Sequence, residues 1–575
     1  MARVAPLRLL ALLLTLGLVT AACGGGDDET ASDDEAVDDD GAAGEDSAVG
    51  STGARDEGEP APGGSISVAF STETNSWRPG AASWGITGYQ IGFAIMDPLM
   101  ARTAEGTVEP YLAKSLVPND DLTEYTLTLR EGVTFHDGTP LNAEAIKSNF
   151  DTYLKAEDSN VAGVLENVTA FEVTGELTGA YQLVEGSAAF PDLLTTSSGM
   201  PFSPTAAEDL GEDYDANPVG TGPYQFVSWN RDDRLVVERY DDYWAEPAHL
   251  DEINFLVIPD DDSRLQSLFA GDIDAMTAER QLVLRQALAA EVDGTVETNV
   301  RIGNTSGGAI FNTLVPPVDD QRVRLGLAMA RSQEELVEVL GGTGLSPLMT
   351  QYYAPDSPYY SEEVAEAWPT YDPEQAAELL QEYIDDPGRS DGKAPGTPIA
   401  VEFSCLPDQA LLELAQVYQA FWVAAGVDVK LNAVEGAAHV ANAIGSAASD
   451  PPFIGDYMIN CWTAGGGQEI PYTALSNAFG PVATQPLNYS NYTSDTVDSN
   501  LEILRTSTEL DDQQAAVESI MFELAVQVPN IWTAAATNLT ATAPAVNGVA
   551  TWVLPDGTEG DPVGETRWAQ VWIDQ

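Results

Sequence analysis

The sequence predicts an α/β protein with more than one lobe. Three observations carry that expectation. At 575 residues the chain is too long for a single core. Between 109 and 154 a strand, a tight turn and a helix follow one another. Farther on, 399–403, 411–425 and 427–434 read as strand, helix and strand, an alternation that implies a mixed or parallel sheet in layers. A hydrophobic content of 44% and an aromatic content of 8% are globular values.

Taken in order, the chain opens with Arg3 and Arg8 ahead of an apolar run over 9–19, the plan of a secretory signal peptide. That run is shorter than the roughly 20 residues a bilayer span takes. Thr20, Ala21 and Ala22 precede Cys23, and the pattern resembles a lipobox, in which the cysteine is acylated and becomes the first mature residue. Thr20 stands where that motif usually has Leu, and plain cleavage after Ala22 is the alternative. Residues 24–63 are mostly Gly, Ala, Ser, Asp and Glu, too poor in apolar side chains to offset the entropy of ordering. They read as an acidic tether that self-repulsion keeps extended.

The folded body begins with alternation over 64–70, a strand, and a polar loop over 71–80 that carries Trp77. Tyr125, Leu127 and Leu129 alternate with polar residues as a half-buried strand. Asp137-Gly138 and Pro140 mark a turn, Asn142 caps a helix, and Ile146, Phe150 and Leu154 share one face of it. The run 217–224 holds four Gly or Pro residues ahead of a strand over 224–229, so it reads as a crowded backbone turn. A strand over 253–258 and a helix over 264–269 follow. Ser332 with Glu335 makes a capping box, and Asp372-Pro373 starts a helix whose apolar face is Leu379, Leu380 and Tyr383. Gly426 ends the helix at 411–425. Two last strands are expected, over 531–536 and 548–553.

Net charge is −67, with 91 acidic against 24 basic residues. That disfavours nucleic acid, whose phosphates need Lys and Arg footprints, and docking on anionic lipid through a basic patch. It suits a soluble secreted surface, and alternatively a preference for cationic ligands. Cys23, Cys405 and Cys461 form no CxxC, and His136, His249 and His439 are scattered, so no metal site and no cofactor is expected. No GxGxxG, P-loop or HExxH occurs, which removes the nucleotide fingerprints and the HExxH zinc-hydrolase signature. His136 reads as a packing and hydrogen-bonding residue.

The identity of several motifs says more. LREGVTFHDGTPLNAEAI at 129–146 resembles the signature of family 5 of bacterial extracellular solute-binding proteins, the peptide, oligopeptide and nickel binders of ABC importers. PVGTGPY at 218–224, the stretch 250–274, and AIFNT with RVRLGLA at 309–328 extend the resemblance from Gly64 to the C-terminus. It implies a two-lobed periplasmic binding protein type II fold with an extra subdomain in lobe I. The expected division is 1–22 signal peptide, 23–63 lipidated cysteine and tether, and 64–100 with 208–303 as lobe I. The subdomain is 101–207, lobe II is 304–538, and 539–575 returns to lobe I.

The implied function is capture of a small solute, foremost a di- or oligopeptide, by a monomer anchored to the membrane through Cys23. The solute passes unaltered to ABC permease subunits. Peptide-binding members carry Gly-Trp and then an Asp that pairs with the peptide's amino group. Here Trp462 matches the Trp, Cys461 replaces the Gly, and Gln468 and Glu469 stand near the acid's position after a flexible Gly465-Gly-Gly467. Trp77, Trp84, Met200, Tyr352 and Tyr353 are further ligand candidates by position. Cys405 and Cys461 fall near the ends of lobe II strands in an exported chain, and a disulfide between them is expected. Alternatives are a cationic metabolite, an oligosaccharide or a nickel chelate as ligand, a stand-alone sensor or chaperone on the same fold, and a secreted hydrolase using paired carboxylates.

Overall fold

The structure, a computed structural model, describes residues 59–80, 84–104, 107–155, 165, 167–355, 357–406, 409–434, 439, 442–443, 455, 457–464, 471–482, 485, 488–560 and 566–574. Its organising feature is one ten-stranded sheet that runs through two cores. From one edge the strands are Asp428–Ala433, Ala400–Cys405, Ile459–Ala464, Glu297–Phe311 and Asn530–Thr542. The sheet continues through Ala275–Ala278, Ser65–Phe70, Glu252–Val257, Arg234–Arg239 and Tyr224–Asn230. Parallel pairing flanks Ser65–Phe70 and Ala400–Cys405, and the other neighbours run antiparallel, so the sheet is mixed.

Two long strands join the cores. Glu297–Phe311 starts among Leu265, Val283, Val300 and Leu539 in lobe I and ends with Ala309 and Phe311 in the core of lobe II. Its partner Asn530–Thr542 travels the other way, from Ile531 and Trp532 to Leu539 and Ala541. The register between them shifts between Ile302 and Ser306 and again between Ser306 and Gly308. A bulge bends and twists a ladder locally, so the sheet is least regular where it passes from one lobe to the other.

The signature stretch builds a separate core beside lobe I. Strand Glu124–Leu129 buries Tyr125, Leu127 and Leu129 within a four-stranded sheet. Asn142 Oδ1 accepts from the Ala145 amide at 2.9 Å, the expected cap, and helix Ala143–Lys155 turns Ile146 and Phe150 inward. The two sequence motifs dock on each other. The His136 amide donates to Gly220 O at 3.0 Å, and the ring lies between Gly220 and Gly222. A Cβ on Gly222 would fall 2.6 Å from Met96 N and 2.7 Å from Ala94 O, so only glycine lets this loop reach the end of helix Ile86–Ile95.

Lobe II follows the sequence closely. Ser332 Oγ accepts from the Glu335 amide, Asp372 caps Pro373–Asp385, and Gly426 takes φ +87° after helix Gln409–Ala424. Cys405 and Cys461 face each other on parallel neighbours, Cα atoms 5.0 Å apart and sulphurs at bonding distance. One expectation fails. No strand forms over 548–553, because Gly548 turns the chain at φ +79° and Val553 makes only an isolated bridge to Glu559. The strand beginning at 530 instead continues to Thr542.

Candidate functional site

The passage from one lobe to the other is marked by the geometry around Ser306. Strand Ile459–Ala464 pairs with Glu297–Phe311 so that Trp462 lies opposite Gly308 and Ala464 opposite Ser306. It therefore ends at the register break between the lobes. Gly308 is forced by this packing, since a Cβ would strike Ile531 O on the other long strand. Ser306 Oγ accepts from the Thr533 amide at 2.9 Å, and Thr533 Oγ1 is 2.7 Å from the Tyr418 hydroxyl, tying the break to the lobe II core.

The lobes also touch away from the long strands. Arg505, on lobe II helix Asp495–Thr506, donates from Nη1 to Gly186 O of the subdomain. Its carbonyl accepts from the Ala188 amide at 2.7 Å, and its Nε lies 4.0 Å from Glu185. Tyr472, on the neighbouring lobe II helix Pro471–Phe479, senses the same contact. Burial raises its phenol pKa; Arg505 opposes that shift, while Glu502 and Glu185 add to it. On the lobe I side, Arg285 Nε donates to Gly341 O at 2.8 Å.

The candidates singled out in the sequence separate into four groups. Trp77 and Trp84 pack together in the lobe I core, ring centroids 6.3 Å apart, with Trp229 5.6 Å from Trp77 and Trp84 Nε1 donating to Ser76 O. Met200 is buried in that core, and its carbonyl accepts from Tyr153. Tyr352 and Tyr353 are 2% and 1% exposed inside lobe II, against Trp532 and Tyr359 respectively. Trp462 is placed by its backbone alone, at the lobe boundary. Gly465, Gln468, Glu469 and Cys23 lie outside the described residues. Arg505 and Arg285 were not singled out; Arg505 has a local partner in Glu502, three residues back, but its contacts with the subdomain, like those of Arg285 with Gly341, lie in other elements that no local spacing signals.

Among the described residues, no group of three or more His, Cys, Asp or Glu is arranged to hold a metal ion, and no helix is long and apolar enough to cross a membrane. A cavity of about 860 Å³ lies elsewhere, lined by lobe I, the subdomain and the C-terminal return.

A model of bacterial extracellular solute-binding proteins, family 5 (middle), matches residues 107–482. The chain belongs to family 5. Among curated proteins it is 30% identical over 277 residues to the glutathione-binding protein GsiB of Salmonella typhi, which is 48% of this chain and 53% of that protein. GsiB of Shigella flexneri is 30% identical over 273 residues, 47% of this chain and 52% of the relative. The chain thus spans about half the length of the curated relatives it matches. Solved structures share the fold. NikA from Brucella suis in complex with Fe(III)-EDTA superposes with a TM-score of 0.74 at 20% identity, over 89% of this chain and 100% of that one. The binding protein DppA from Helicobacter pylori with the peptide STSA gives 0.72 at 20% identity, over 90% and 99%. For this family 5 protein the two-lobed type II fold is therefore the architecture, and the family and its neighbours are binding proteins.

Proposed function

We propose that this family 5 protein is the extracytoplasmic substrate-binding lipoprotein of an ABC importer. It captures a di- or oligopeptide between its lobes by hinge closure and delivers it to the permease. The observation that carries this reading is the end of strand Ile459–Ala464 opposite Ser306, which brings the chain to the lobe boundary just before Gln468 and Glu469. A carboxylate in a closing, water-poor cleft pairs strongly with an ammonium group. The relatives support the class: GsiB is named for glutathione, a tripeptide, and DppA holds a peptide.

Calorimetry against a peptide mixture tests the reading, with a thermal shift as a second readout. A ligand at a hundred times Kd adds about 2.7 kcal/mol of stability, enough to see. Glu469→Gln is expected to weaken an amine-bearing peptide, most at low salt. No heat and no shift with peptides, but binding of a nickel chelate or a cationic metabolite, would replace peptide by that ligand. Anchoring rests on Cys23: Cys23→Ser is expected to release the protein into the medium, and unchanged retention in the membrane fraction would remove the lipid anchor from the account.

A further inference from the structure

The cavity of about 860 Å³ lies outside the joint between the lobes. Its described lining comes from lobe I, the subdomain and the C-terminal return, with none from the lobe II core. His249 is part of its lining, and the His249 carbonyl accepts from Gly63 ahead of strand Ser65–Phe70, so this side of the cavity lies near the amino end of that strand, away from the loop that carries Trp77. Its volume falls in the range of small-molecule sites.

Two ionisable groups stand in it. Asp97 is 4% exposed; Oδ2 accepts from Trp244 Nε1 at 2.7 Å and Oδ1 from the Tyr243 hydroxyl at 3.3 Å. Those donors are neutral, and among the described residues the carboxylate has no cation within ion-pair distance. Burying a carboxylate is costly, and burial pushes its pKa up to about 7, opposed by the Trp244 and Tyr243 hydrogen bonds and by the charge of Arg567 in the same lining. Arg130 is oriented in turn: Nε donates to Tyr111 O at 2.5 Å and the guanidinium lies 5.3 Å from the Trp244 ring centroid. Among the described residues its two terminal nitrogens pair with no carboxylate.

One aromatic wall links the two charges. Trp244 bonds Asp97 through its indole nitrogen and carries Arg130 over its ring. Tyr111 packs edge-on against Trp244 at 5.3 Å and Trp552 at 5.9 Å. The charge balance is also unlike the rest of the chain. Bases number 24 against 91 acids overall, whereas Lys114, Arg130 and Arg567 match Asp97, Glu131 and Glu246 in the lining. This is a place on a very acidic protein where an anionic group can be held.

We propose that this cavity is a second ligand site, for a small zwitterion of the amino-acid class. Its ammonium sits on Asp97, its carboxylate meets the fork of Arg130, and its apolar side chain lies on the Trp244–Tyr111–Trp552 wall. This goes beyond the inter-lobe function, which is read with peptides and Glu469→Gln, so either can fail alone.

The test is calorimetry on the full chain with L-phenylalanine, phenethylamine and 3-phenylpropionate, which carry both charges, the cation alone and the anion alone. Phenylalanine is expected to bind at least tenfold more tightly than either half-charged analogue, and Arg130→Met to weaken it at least tenfold. Absence of phenylalanine binding, equal binding of phenethylamine, or wild-type affinity in Arg130→Met would overturn the proposal. A crystal soaked with L-phenylalanine gives a reading that needs no variant. Density between Asp97 and Arg130 supports the site, and density only elsewhere overturns it.

Discussion

His136 is held from both ring nitrogens. Nε2–H donates to Gly222 O at 3.0 Å, and Nδ1 accepts from the Gly220 amide at 3.4 Å. That pattern fits only the neutral ring, since imidazolium would point a second N–H at an amide. Burial, opposed by the Gly222 hydrogen bond and by Asp137, pushes its pKa down to about 4. A folded pKa below the unfolded value of about 6.5 makes stability complete above that pH and lost progressively as pH falls toward 4. Acidification also neutralises part of a large negative charge, so the imidazole's share has to be read by difference. Between pH 7 and 4.5, the loss in Tm is expected to be smaller in His136→Gln than in the wild type; equal losses would assign the pH response to other groups. The sequence shows His136 to be a packing residue, and its partners 84 and 86 residues away only the fold reveals. The aromatic candidates teach the converse. Composition marks Trp77, Trp84, Tyr352 and Tyr353 as large rigid surface, but only packing tells that they sit inside the two lobes.

At the scale of elements, what was legible is what is local. Caps at Asn142, Ser332 and Asp372, the glycine stop at 426 and the strand–helix–strand of lobe II need only neighbours within a few residues. The long strand Glu297–Phe311 was not read, because Gly303, Gly307 and Gly308 interrupt its alternation where the register breaks. The strand expected at 548–553 fails for a related reason: its alternation lacks a partner strand once Gly548 turns the chain. The Arg505 contact is non-local too, spanning 319 residues. It joins lobe II to the subdomain, so it stabilises the arrangement in which the lobes meet. Arg505→Met is expected to remove about 1 kcal/mol from that arrangement and raise the ligand Kd about fivefold, mainly through faster dissociation. An unchanged dissociation rate would make Arg505 incidental to closure.

At the scale of the whole molecule, one sheet shared by two cores is what makes closure physically available. Each core is a close-packed body that resists bending, whereas the two strands between them carry the ladder's irregularities and can absorb a rotation. Two lobes, their mixed sheet and the attached subdomain were foreseeable from motif order; the placement of the boundary on a pair of bulged strands was not. The account predicts that binding moves the lobes as rigid bodies about Ser306 and its neighbours. Val227 and Val423 are exposed on elements near opposite ends of the shared sheet, and labels there report that rotation. The deciding measurement is the distance between probes on Val227→Cys and Val423→Cys, taken without ligand and at calorimetric saturation with peptide. A change of several ångströms that reverses when ligand is removed is the predicted result. The same distance in both states, with saturation verified, would contradict hinge closure.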